Sequence, residues 1–96
     1  MAVVFSQRSR WDLLEILEFH TARNPRYAKE LTDRLIDVAL SLGEHPQRGS
    51  QSRHREHRRV FESGHAIVYD ENGGDFVVLR ILHGARDIEA LLSDEN

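Results

Sequence analysis

The dipeptide Asn24-Pro25 constrains the chain more than any other pair of residues. A residue that precedes proline is pushed out of the α region, so a helix arriving from the N-terminal side must stop before it. The same pair opens the next helix, because asparagine is a good N-cap and proline a good first helical residue. Beyond it Ala28, Leu31, Leu35, Val38 and Leu42 recur at spacings of three and four, the stripe of an amphipathic helix. Gly43 is the expected left-handed stop. Upstream, Ser6 can cap a helix carrying Trp11, Leu13, Leu14, Ile16 and Leu17. That stripe is wide enough to meet more than one neighbour, and Trp11 is expected in the core; on the outer side of the helices it would mark a binding patch. Two helices joined by so few residues must lie antiparallel as a hairpin.

Strands flank the hairpin. Residues 2–6, centred on Val3-Val4-Phe5, form a short run rich in β-formers. Residues 44–56 are polar and contain Pro46 and Gly49, which predicts a loop. Three strands follow: Arg58 to Glu62, a Ser63-Gly64 turn, His65 to Asp70, an Asn72-Gly73-Gly74 turn, and Phe76 to His83. Alternation places Phe76, Val78, Arg80 and Leu82 on one face of the last strand and Val77, Leu79, Ile81 and His83 on the other. Apolar residues on both faces require cover on both. The hairpin can cover only one, so a closing helix over Arg86 to Leu92, or a partner, is expected on the second. The expected fold class is α+β in the order β-α-α-β-β-β(-α).

Ninety-six residues suit one domain, 1–96, large enough to bury roughly two thirds of its unfolded surface without covalent staples. The chain has no cysteine, which removes disulfides, thiolate metal sites and a cysteine nucleophile, and makes a reducing cytoplasm the expected home. The N-terminus is too short and uncharged for a signal peptide, and no apolar run approaches a membrane span. The formal net charge of −3 hides an asymmetry. Arg48, Arg53, Arg55, Arg58 and Arg59 crowd the stretch from Pro46 to Val60, where Glu56 is the single acid. One basic patch on an acidic body suits a specific anionic partner better than a general coat of nucleic acid. Twelve of the 13 basic residues are arginine. That bias suits bidentate contacts to carboxylate or phosphate, but a GC-rich genome produces it equally well.

No phosphate-binding glycine loop, metal-ligand spacing or serine–histidine motif is present, so no cofactor or metal is expected. His54 and His57 lack the further ligand spacing that a metal site needs. Arg80 stands out, since a charge inside an apolar strand must be paired or must face solvent or a ligand. A salt bridge to Asp70, Asp75 or another acid on the neighbouring strand and a functional contact are equally good readings. His83, at the strand end before Gly84, is either a solvated imidazole or a general acid. Asp87 and Glu89 fit the start of a helix, whereas Arg86 is a cation at the wrong end of one and so a functional candidate.

The order of these pieces resembles the ParE/RelE superfamily of bacterial toxins. The resemblance rests on the hairpin turning at Asn24-Pro25, the Pro46-Gln47-Arg48-Gly49 loop and Arg59 opening a strand. It continues through His65-Ala66-Ile67-Val68-Tyr69 and ends on Leu79-Arg80-Ile81-Leu82-His83-Gly84-Ala85-Arg86-Asp87. The ParE branch is the closer match through its closing Arg-x-Leu-His-Gly-Ala-Arg-Asp. The resemblance implies the toxin of a type II toxin–antitoxin module associated with plasmid stabilisation and growth inhibition. It implies a helix hairpin on a curved antiparallel sheet and a cognate antitoxin that wraps the toxin, in an assembly such as a heterotetramer. ParE-like members inhibit DNA gyrase and are not enzymes, with Arg58, Arg59, Arg80, His83 and Arg86 as the contact residues to expect here. RelE-like members cleave messenger RNA on the ribosome. That alternative would need Glu56 as base, Arg59 and Arg80 as phosphate clamps and His83 as acid. The lysine and C-terminal tyrosine of RelE-like chains have no counterpart: Lys29 is the only lysine, and no tyrosine follows Tyr69. A degenerate toxin kept only to bind antitoxin in autoregulation is the third reading.

Overall fold

The computed structural model describes residues 2–45 and 57–84, and the backbone of residues 50 and 51. The expected closing helix, most of the expected loop, Glu56 and Arg86 lie outside the described residues. The elements are β1 (Val3–Phe5), α1 (Gln7–Thr21), α2 (Pro25–Ser41), β2 (Ser50–Gln51), β3 (Arg58–Glu62), β4 (His65–Asn72) and β5 (Asp75–His83).

Local chemistry sets the helix boundaries. The Ser6 hydroxyl accepts the Ser9 N–H at 3.1 Å, and the Asn24 side-chain oxygen accepts the Tyr27 N–H at 3.1 Å, with Pro25 as the first helical residue. Asn24→Ala should lower stability by about 1 kcal/mol, read as a shift of the urea midpoint at constant slope. Gly43 does not stop α2 in the expected way. It is not among the positive-φ glycines, and the helix instead unwinds through Gly43 N–H to Leu40 O and Glu44 N–H to Ser41 O. Tightened turns of this kind satisfy terminal carbonyls without a left-handed residue.

The sheet order is β1-β5-β4-β3-β2. β2 through β5 are antiparallel, whereas β1 joins β5 in parallel, pairing Val3 with Phe76 and Phe5 with Val78. The sheet is therefore mixed, because the chain leaves β1 for the hairpin and returns to that edge only through β5. Both β-turns have positive φ at each central residue, 52° and 75° at Ser63-Gly64 and 61° and 90° at Gly73-Gly74. That is the geometry whose twist matches a two-residue hairpin.

Strict alternation fails along β5. Tyr69 pairs with Val78 but Val68 pairs with Arg80, so Leu79 is an extra residue in a bulge. The core phase consequently runs Phe76, Val78, then Ile81, and Leu82 falls on the opposite face with Ala66 and Val68. The first group packs with Leu31, Leu35, Val38, Ala39 and Leu42 of the hairpin, and with Val60, Ile67 and Tyr69. Trp11 is not in that core: it is 51 % exposed, and α1 meets the core through Leu13 and Ile16.

Candidate functional site

β1 pairs with β5 only as far as Val78, so the rest of β5 would be an open edge on that side. The first turns of α1 close it. The Ser6 N–H donates to Val78 O, its hydroxyl donates to Leu79 O at 3.0 Å, and Asp12 accepts the Ile81 N–H at 2.9 Å. The Asp12 carboxylate, 5 % exposed, also accepts from Arg80 Nε at 2.9 Å and Nη2 at 3.3 Å. Arg80 is therefore paired, by an acid on a helix sixty-eight residues away rather than by one on the neighbouring strand.

Register then sorts the candidate residues by face. Arg59, Val68 and Arg80 stand in one cross-strand row on the side of the sheet away from the hairpin, with Phe61, Ala66 and Leu82 in a row of the same face. Two strand spacings separate Arg59 from Arg80 at the backbone, about 10 Å. The Arg59 guanidinium lies 5.6 Å from the centre of the Phe61 ring, which is 53 % exposed. His57 bonds Asp70 at 3.0 Å on this face. Arg58, by contrast, pairs with Tyr69 and belongs to the hairpin side.

His83 is also on the hairpin side, because the bulge pairs it with His65. The two rings meet edge to face with centroids 5.0 Å apart. Glu15, Ile16, Phe19 and His20 of α1 complete a groove of about 330 Å³ over this pair. His65 is nearly fully buried, and its Nδ1 lies 2.8 Å from Ser63 O. A carbonyl can only accept, so Nδ1 carries the proton and Nε2 is the acceptor of the neutral ring. Burial pushes the His65 pKa below the usual 6.5, assisted by the neighbouring His83 and His20 and opposed by the Ser63 bond. Above pH 6.5 both folded and unfolded chains hold His65 neutral, and below it the unfolded chain takes up a proton that the folded chain resists. Stability should fall as the pH drops from 7 to 5.5, and His65→Gln should flatten that slope in thermal melts.

The structure thus places Arg59 and Arg80 in one cross-strand row with Val68 between them, turns the Arg80 guanidinium to Asp12, and places His83 on the other side of the sheet. Among the described residues, no group of three or more histidine, aspartate or glutamate side chains could hold a metal ion. Sequence reasoning missed the partners: Asp12 for Arg80, and His65 for His83. Counting back from the Gly73-Gly74 turn without the bulge would have paired His65 with Leu82.

Known proteins agree with this architecture. A chain of the chromosomal ParDE toxin–antitoxin system from P. aeruginosa superposes with a TM-score of 0.78 at 16 % identity, over 88 % of this chain and 96 % of that one. A chain of the RelBE2 toxin–antitoxin complex from Mycobacterium tuberculosis superposes with a TM-score of 0.65 at 19 % identity, over 85 % and 95 %. No curated protein matches the sequence. The family model for the ParE toxin of the parDE type II toxin–antitoxin system matches residues 3–88, which covers β1 through β5 and both helices. The chain is a type II toxin of the ParE family.

Proposed function

We propose that this toxin acts in the cytoplasm by binding DNA gyrase and blocking its turnover, and that a cognate antitoxin neutralises it by covering the same surface. The observation that carries this reading is the separation of the groups that RNA cleavage would need. An acid and a phosphate clamp must converge on one reacting phosphate, within hydrogen-bond reach of it. His83 is on the hairpin side, whereas Arg59 is on the far side and Arg80 is already bonded to the buried Asp12. A contact surface needs no such convergence. Arg59 and the exposed Phe61 form a cation and aromatic pair of the kind that anchors protein interfaces.

The test is a supercoiling assay with purified gyrase. Wild-type toxin should inhibit, stoichiometric antitoxin should restore activity, and Phe61→Ala, at a position 53 % exposed, should weaken inhibition at least tenfold without changing the melting temperature by more than about 3 °C. Undiminished supercoiling at a large molar excess of toxin would sink the gyrase reading.

A further inference from the structure

Helix α1 carries apolar residues on two sides: Leu13 and Ile16 pack against the core beside the buried Ser9 and Asp12, while Trp11 is 51 % and Leu14 is 54 % exposed. Gln7, Trp11, Leu14, Glu18 and Thr21 succeed one another at spacings of 4, 3, 4 and 3, and all five are exposed. That is the a/d repeat of a helix–helix seam, here with an apolar centre and polar ends. Arg8 and Glu15, seven residues apart and both exposed, run along one flank of it. When two identical helices pack antiparallel about a two-fold axis, the same flank of each faces its copy. Trp11 of one then meets Leu14 of the other, and Arg8 of each meets Glu15 of its mate. The intrachain contact of Arg8 with Asp12 is long, at 4.0 Å, and leaves the side chain 55 % exposed. Asp12 is meanwhile held by Arg80 and Ile81.

We propose that this chain forms a two-fold homodimer through the outer face of α1, with Trp11 and Leu14 at its centre and reciprocal Arg8–Glu15 pairs beside them. The charge pattern selects a second copy as the occupant, because a flank carrying one cation and one anion seven residues apart is complementary to itself in the antiparallel sense. The proposal is independent of the toxin's target. A 15-residue helix seam covers less than the roughly 800 Å² per partner of a standard interface, so association is weak and concentration-dependent.

Sedimentation of the full-length chain over a wide concentration range provides the test. The mass should rise from 11.1 kDa towards twice that value. Leu14→Asp should abolish the rise. Arg8→Glu and Glu15→Arg should each weaken association roughly tenfold, since each replaces two attractions by two repulsions. An equimolar mixture of these two variants should regain wild-type association, because every facing pair in the mixed dimer is again opposite in sign. Circular dichroism of each variant checks that the fold is retained, as expected for exposed positions. A wild-type chain that stays monomeric throughout, charge variants that associate like wild type, or a mixture no tighter than its components would each overturn the proposal.

Discussion

Asp12→Ala should lower stability by about 4 kcal/mol and the thermal midpoint by roughly 20 °C. The carboxylate is 5 % exposed and holds three donors: the Nε and Nη2 of Arg80 and the Ile81 N–H. Its removal leaves a guanidinium that is only 21 % exposed without its counter-ion and a strand N–H without an acceptor. It also cuts the tie that closes the edge of β5 beyond Phe5. Asp12→Asn should cost about half as much, because its carbonyl can still accept from Ile81 while the charge pairing is lost. Replacing both Asp12 and Arg80 by apolar residues should cost less than the two single changes added together, since neither variant group is then buried alone. Melting curves check all three; an alanine variant within about 3 °C of wild type would contradict the role assigned to Asp12. Loss of toxicity in an Arg80 variant reports folding as much as target contact, so the exposed Phe61 is the cleaner probe of the sheet face.

Phe76→Ala should have a comparable effect, about 4 kcal/mol. Phe76 is fully buried, pairs with Val3 across the parallel edge, and presents its ring edge-on to Tyr69 with centroids 5.3 Å apart. The substitution removes that aromatic contact and opens a cavity beneath the hairpin where rigid neighbours limit collapse. Phe76→Leu retains most of the volume and should cost no more than about 1.5 kcal/mol. In urea the alanine variant should show a lower midpoint with an unchanged slope, the mark of lost packing rather than of an altered unfolded state.

The elements that were readable in the sequence are those fixed by local chemistry. Ser6 and Asn24 cap their helices through their own side chains, and Pro25 presets the backbone of α2. The stripe from Ala28 to Leu42 is buried as its period requires. Both β-turns were legible because their two central residues must reach positive φ. What was not legible depends on contacts distant in sequence. The Leu79 bulge sits where β1 ends and the Ser6 hydroxyl takes the Leu79 carbonyl, a meeting of residues seventy-three apart. That single insertion moved His83 beside His65 and put Leu82, rather than Ile81, on the far face. Trp11 deceived for a related reason. The apolar stripe of α1 is wide, and periodicity cannot say which part of a wide stripe the sheet will cover. Arg80 reads from the sequence as needing a partner, but the sequence points to neighbouring strands for it, because strand pairing is readable and helix docking is not.

The proposed mode of action is contact with gyrase rather than cleavage of RNA. It is tested most directly by two assays on one preparation of the chain: supercoiling by purified gyrase, and mapping of messenger-RNA ends at ribosomal A sites. Contact with gyrase should give inhibited supercoiling and no new RNA ends from wild-type toxin. Ends that appear at A sites and vanish in His83→Ala, with supercoiling undisturbed, would contradict it.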